Sequence, residues 1–284
     1  MGVLNVTPDS FYEGGRFLRF EQALEQACVL MEQGVDILDI GAESTCPKNI
    51  YDKEGLPSTT ETDEEQRLYP LLEVLCSQFP TQKISVDTRN LNVAKKSLAY
   101  GVSFINHITS DLDIELAKLI ATYPESTLIL CHMRGTPRTM QVGDFYEGPI
   151  IPYLCDWFRE QFSKLVSYGV KKEQVIIDPG MGFGKKKPDQ DFEILRGIPE
   201  LKKLGFPVLI GLSRKSFMGH VLGKRPDALL PGTIALNTYA LMQGADIIRV
   251  HDVQEHKDVL QLLCHLERSP SSRAESRDLL RCKQ

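Results

Sequence analysis

The chain of 284 residues has no surplus of positive charge: 33 Lys and Arg stand against 38 Asp and Glu, a formal net charge of -5. That balance argues against nucleic acid or an anionic membrane surface as the main partner. It leaves room for a small anion held by a few local cations. No apolar run approaches the ~20 residues of a membrane span, and the first residues lack the charged and apolar segments of a secretion signal. Seven cysteines (Cys28, Cys46, Cys76, Cys131, Cys155, Cys264 and Cys282) include no Cys-x-x-Cys pair and are odd in number. Free thiols in a reducing, cytoplasmic compartment are expected, rather than a disulfide framework or a zinc site. Residues 1–266 also lack an internal repeat, a linker or a shift in composition.

Short runs rich in Val, Ile and Leu alternate with longer amphipathic stretches. Strands are expected over 2–6, 35–40, 83–86, 103–106, 126–131, 175–177, 207–210 and 246–250. Helices are expected over 20–33, 63–78, 91–100, 112–121, 151–168, 191–203, 233–243 and 253–266. Gly34, Gly101, Gly169, Gly205 and Gly244 fall just after helical stretches, where a left-handed cap residue is wanted. Strict alternation points to a parallel sheet, most economically one (β/α)8 TIM barrel over residues 1–266. An open, doubly wound sheet is the alternative. Residues 267–284, rich in Ser, Arg and Glu, read as a disordered tail. The first strand starts at Met1, so either that start is tolerated or residues upstream belong to a longer polypeptide.

The densest signal is Asp178-Pro179-Gly180-Met181-Gly182-Phe183-Gly184-Lys185, directly after the strand 175–177. Alternate glycines let backbone approach a ligand and can present N–H groups to an anion. The Walker A pattern fails, because Pro179 stands where glycine is needed and Lys186 where Ser or Thr is needed. A tight strand-to-helix turn is the structural alternative; a ligand site is the favoured reading of the glycines.

In a barrel, chemistry collects at the C-terminal strand ends. There the chain offers Asn5-Val6-Thr7-Pro8-Asp9-Ser10-Phe11, then Asp39-Ile40-Gly41-Ala42-Glu43-Ser44-Thr45, Asp87-Thr88-Arg89, Asn106-His107 and His132-Met133-Arg134-Gly135-Thr136-Pro137. Asp178, Gly211-Leu212-Ser213-Arg214-Lys215-Ser216-Phe217 and Arg249-Val250-His251-Asp252 complete the set. Singly, such an Asp is as readily a helix N-cap and such a His a satisfied structural residue. A cation such as Lys215 or Arg249 at a buried strand end needs an anionic partner. Polar residues at nearly every strand end favour one ligand site over independent structural causes.

These motifs, in this order, resemble the dihydropteroate synthase family of pterin-binding folate-pathway enzymes, the targets of sulfonamides. The resemblance runs across residues 1–266. It implies a (β/α)8 barrel, usually a homodimer, that joins 6-hydroxymethyl-7,8-dihydropterin diphosphate to p-aminobenzoate with Mg2+. By similarity Asp87, Asn106, Asp178 and Lys215 surround the pterin, with Met133 and Phe183 as apolar walls. Asn5, Arg249 and His251 hold the diphosphate, Asn5 also serving as a metal ligand. Thr45 and Ser216 help to place diphosphate and p-aminobenzoate, and Asp9, Phe11 and Ser44 come from the two long first loops. Asp87, Lys215 and Arg249 carry the catalytic roles.

Three positions depart from the family pattern: Cys46 replaces a loop-two arginine, His107 an Asp, and Glu13 an Asp. Loss of a cation at 46 is expected to weaken anion binding unless Lys48 compensates. A pterin-dependent methyltransferase barrel is the nearest enzyme alternative; it has no use for a diphosphate grip such as Arg249-Val250-His251. A catalytically weak paralogue acting as a partner protein is the other.

Overall fold

The computed structural model describes residues 1–6, 16–42, 61–136, 139–140, 146, 148–185 and 188–267. The chain begins β1 (Gly2–Asn5), α1 (Arg16–Glu32), β2 (Ile37–Gly41), α2 (Glu61–Gln78), β3 (Lys83–Asp87) and α3 (Leu91–Ala99). It continues β4 (Phe104–Thr109), α4 (Ile114–Ala121), β5 (Thr127–His132), α5 (Ile150–Ser167) and β6 (Val175–Asp178). The last third holds α6 (Asp189–Arg196), α7 (Ile198–Lys202), β7 (Leu209–Ile210), α8 (Ser216–Leu222), α9 (Leu230–Met242), β8 (Ile247–Ile248) and α10 (Val253–Glu267).

Strands β1 to β6 pair in chain order and in parallel, and β7 pairs with β8. A bridge from Ile177 to Val208 joins the two ladders on one side, and one from Gly2 to Val250 joins them on the other. Val3 N–H donates to Val250 O and Val250 N–H to Met1 O, both at 2.9 Å, which closes the ring. The eight strands therefore form the expected barrel and not an open sheet.

The period of two along each strand sorts its side chains. Leu38, Ile40, Ile84, Val86, Ile105 and Ile177 face outward into the core beneath the helices. Each such side chain, fully buried, stabilises the fold by roughly 1.5–3 kcal/mol. Their neighbours point inward. Met1, Ile37, Phe104, Ile129, Ile176 and Leu209 form an apolar plug at the N-terminal end of the barrel. One step further along the same inner face come Asp39, Ser85, Asn106 and Asp178, so the interior turns polar toward the mouth. A two-sided hydrophobic pattern interrupted by acids on one face is thus the imprint of a filled base and an open top.

Element boundaries differ from expectation in three places. The helix expected over 191–203 is two, because Gly197 ends α6 and Pro199 opens α7. A Cβ at Gly197 would stand 2.2 Å from Ile151 Cδ1, so a larger residue there would have to displace that side chain of α5. Strands β7 and β8 are each two residues long, and just before β7 the Asp246 carboxylate takes the Val208 N–H at 2.7 Å. Ser216 and Phe217, read above as part of a strand-end loop, open α8, which is ended by Gly223 at φ 63°. Helix α10 runs through Glu267, and the tail beyond it lies outside the described residues.

Candidate active site

At the mouth of the barrel the row Asn5, Gly41, Asp87, Asn106 is set by strand register across β1 to β4. A Cβ at Gly41 would lie 3.6 Å from both Asn5 Oδ1 and Asp87 Cβ. One at Gly211 would lie 3.7 Å from Arg249 Cβ and 3.9 Å from Asp178 Oδ2. Two glycines therefore keep open the space between the carboxylates that any larger side chain would fill. Both stand in the strand-end stretches, where no neighbour in sequence marks this use.

Arg249, at the end of β8, crosses this space. Its Nε donates to Asp39 Oδ2 at 2.6 Å and its Nη2 to Asp87 Oδ2 at 2.9 Å. Burial works against the guanidinium charge, but the carboxylates of Asp39 and Asp87 outweigh it and hold the pKa above its usual value. Asp39 itself is fully buried and also accepts from Ser85 Oγ at 2.6 Å and, weakly, from Asn106 Nδ2 at 3.5 Å. Asp39 and Ser85 brace this site from within the barrel, though the sequence alone assigns neither a role. The signal available was an acid and a hydroxyl in the middle of runs that are otherwise apolar.

Asn106 is buried, and its Oδ1 has no hydrogen-bond partner among the described residues. Such an acceptor costs about 1–3 kcal/mol if left unpaired in the folded protein, which marks it as a group awaiting a donor. Asp178 sits on the same inner face and gives Oδ1 to the Gly180 N–H at 2.8 Å. Burial raises its pKa, opposed by that backbone bond and by Lys215. Lys215 donates to Met181 O at 2.6 Å and places Nζ 3.8 Å from the Phe183 ring centroid, a cation–π contact. Burial lowers its pKa.

Phe183 packs against a small apolar cluster of Ile108, Cys131, Met133 and Met140, separate from the main core. Met133 and Phe183 thus share one cluster, with Phe183 beside Lys215. The glycine turn is braced from behind. Lys185 is buried and donates to Gly180 O and Phe183 O, each at 3.0 Å, and to His132 Nδ1 at 2.9 Å. Its pKa falls to about 7 through burial. The turn is accordingly braced by its own lysine, which is spent on loop carbonyls and not offered to an anion.

His251 takes Ser213 Oγ on both its Nδ1, at 3.0 Å, and its backbone N–H, at 3.3 Å. Loss of water around the ring, then the positive Arg249, lower its pKa to about 4, an effect that the exposure of His251 to solvent weakens. Ser216 is the first residue of α8, directly after Lys215. His107, where the family pattern has an acid, is buried with Nδ1–H donating to Thr88 O at 3.1 Å, which accounts for it structurally. Asp9, Phe11, Ser44, Thr45, and with them Glu13, Cys46 and Lys48, lie outside the described residues.

Among the described residues no three His, Cys, Asp or Glu side chains group to cage an ion. Asn5, exposed at the rim, offers one hard amide oxygen. That fits a magnesium ion carried mainly by substrate oxygens and water.

The family model for pterin binding enzymes matches residues 1–251. A dihydropteroate synthase of Synechocystis is 39% identical over 255 residues, covering 89% of this chain and 85% of that protein. Among solved structures, the Clostridium difficile dihydropteroate synthase in the presence of pteroic acid superposes with a TM-score of 0.83 at 37% identity, covering 95% of this chain and 96% of that one. The Yersinia pestis dihydropteroate synthase with a sulfonamide drug complex gives 0.83 at 34% identity, covering 94% and 93%.

Proposed function

The chain belongs to the pterin-binding enzyme family, and from that premise we infer that it is a transferase of folate biosynthesis. It condenses 6-hydroxymethyl-7,8-dihydropterin diphosphate with p-aminobenzoate, giving 7,8-dihydropteroate and diphosphate. The observation that carries this reading is the unpartnered, buried Asn106 Oδ1 between Asp87 and Asp178, beside space that Gly41 and Gly211 keep open.

A pterin presents N–H donors along its amino-pyrimidinone edge and a carbonyl beside them. Asp178 and Asn106 accept from the donors, and Lys215 donates to the carbonyl. Met133 and Phe183 supply the apolar walls. The exocyclic methylene then loses diphosphate: its C–O bond breaks, and the electron pair leaves with the phosphate oxygen. Arg249, His251 and Asn5 hold that leaving group, while Asp87 favours the methylene cation left behind. The amine nitrogen of p-aminobenzoate forms the new C–N bond and gives up its proton to solvent. Ser216 and Lys215 orient the arylamine. No side-chain nucleophile is required. Magnesium, held through Asn5, would supply neutralising charge on the diphosphate. Asp9, Phe11, Ser44 and Thr45 would complete the site from the first two loops, and the sulfonamide bound by the Yersinia relative would compete for the arylamine position.

The chain acts as a homodimer in a reducing cytoplasm under this reading. Support for the first comes from apolar residues at the surface of the last two helices, among them Met242, 73% exposed, and Leu266, 80% exposed. Support for the second comes from the free thiols of Cys28, Cys76, Cys131, Cys155 and Cys264; no described helix is long and apolar enough to cross a membrane. The test is dihydropteroate formation from the two substrates with Mg2+. Turnover is expected. Pterin binding without turnover would replace this reading with that of a weak paralogue.

A further inference from the structure

Among described residues other than glycine, Arg214 has the positive φ, 55°. A side chain in this region is strained, and the strain persists only where the surroundings over-determine it. Here they do. The Arg214 N–H donates to the hydroxyl of Thr233, itself fully buried, at 3.1 Å, and the Lys215 N–H closes the turn on Leu212 O at 3.1 Å. The guanidinium forks onto one carboxylate, Nε to Asp252 Oδ2 at 3.0 Å and Nη2 to Asp252 Oδ1 at 2.6 Å. Its Nη1 reaches Asp227 O at 3.3 Å and Pro226 O at 3.4 Å. Asp252 is fixed in turn, for its carbonyl accepts His256 Nδ1–H at 2.6 Å, and His256 Nε2 takes the Asn237 amide at 2.9 Å.

The two partners stand in matched places. Arg214 lies between Ser213, which holds His251, and Lys215, which reaches Met181 and Phe183. Asp252 directly follows His251. The loops after β7 and β8 are thus tied at two successive points, Ser213 to His251 and Arg214 to Asp252. A left-handed residue turns the chain sharply. Ser213 and Lys215 both reach the barrel mouth while the arginine between them leaves in another direction.

We propose that Arg214 and Asp252 are a positioning pair, which sets the pterin-side Lys215 and the diphosphate-side His251 in register with each other through the coupled β7 and β8 loops. The proposal rests on the reaction proposed above. A bidentate fork fixes direction as well as distance, so its loss moves both ends of the site together. An ion pair that serves only stability would leave the kinetic constants of the folded enzyme unchanged.

Arg214→Gly separates these roles, because glycine adopts φ 55° without strain while the fork is lost. Asp252→Asn removes the charge at nearly the same shape. Each variant is expected to lower kcat/KM at least about tenfold for both substrates, with kcat falling as well as KM rising and with thermal midpoints close to the parent. The double variant is expected to be no worse than the worse single, and Arg214→Lys to recover part of the loss. Should Arg214→Gly fail to fold, Asp252→Asn carries the test alone. Constants within twofold of the parent, or single effects that multiply in the double variant, overturn the pair. If the parent forms no dihydropteroate, the reaction is refuted. The pterin affinity of the same variants then decides the positioning of Lys215, and unchanged affinity overturns it.

Discussion

Arg249 donates to Asp87 across 2.9 Å while the same guanidinium rests on Asp39 at 2.6 Å, so one cation spans two carboxylates of different standing. Asp39 is sealed in the barrel, whereas Asp87 faces the open mouth and is the partner a substrate can share. Arg249 therefore keeps an anchor whatever happens at Asp87. Arg249→Ala is expected to lower kcat about a hundredfold, roughly 2.7 kcal/mol of barrier, with a smaller effect on the KM for p-aminobenzoate. Steady-state kinetics in both substrates checks this; an effect confined to the arylamine KM would remove Arg249 from the leaving-group role.

The anchor itself is a stability element. Removing one member of a buried ion pair leaves the other uncompensated and costs about 3–5 kcal/mol. Asp39→Ala is expected to lose about 3 kcal/mol of unfolding free energy in urea. Asp39→Ala with Arg249→Met should lose less than the two single losses summed, since the stranded charge is gone. Strict additivity would mean the contact is energetically idle.

Asp178 is expected to be the reader of the pterin edge. Asp178→Ala should abolish measurable pterin binding in a fluorescence or calorimetric titration, while Asp178→Asn, which also presents N–H, should weaken it by a smaller factor. Burial raises the carboxyl pKa above the ordinary 3.8, so pterin affinity should begin to fail on acidification before a solvent-exposed aspartate would protonate. Normal affinity in Asp178→Ala would break the reading of the glycine turn as a substrate loop.

The architecture and most of the site were legible because their signals are local. Helix-terminating Gly34, Gly101, Gly169, Gly205 and Gly244 adopt φ of 79°, 91°, 93°, 79° and 99°, and each precedes an apolar strand. Asp87, Asn106, Asp178, Lys215 and Arg249 stand at strand ends that topology gathers at one face. The part that Asp39 plays was not legible, since its partners Ser85, Asn106 and Arg249 lie 46, 67 and 210 residues away. An acid in an apolar run marks an interior position but not the cation it anchors. Gly41 and Gly211 stand in the strand-end stretches, yet their use was hidden for the same reason, because what they leave open is defined by residues on other strands.

Gly180 tests how rigid the turn must be. A Cβ there would stand 1.8 Å from His132 O, and φ is +68°. Neither the carbonyl nor the left-handed backbone can yield without shifting Lys185, which bonds both His132 and the Gly180 carbonyl. Gly180→Ala is expected to destabilise by more than about 2 kcal/mol and to lower pterin affinity in whatever folds. Wild-type stability and affinity together would show that the turn bends freely.

His251 gives the site a pH signature. Its pKa falls to about 4 from 6.5, first through loss of water around the ring and then through Arg249. Between those values the unfolded chain binds more protons at this position than the folded one, so the contribution to stability rises with pH across the window and is lost as pH falls from 6.5 toward 4. His251→Asn, which keeps a donor near Nδ1, should flatten that part of the urea-midpoint profile without changing it above neutrality. A bound diphosphate reverses the balance, since an anion favours the imidazolium. Inorganic diphosphate with Mg2+ should therefore bind more tightly as pH falls through the window, with proton uptake measurable by calorimetry in buffers of different ionisation enthalpy. In His251→Asn that uptake should shrink. If it persists undiminished, the proton belongs to another group and His251 has no contact with the leaving diphosphate.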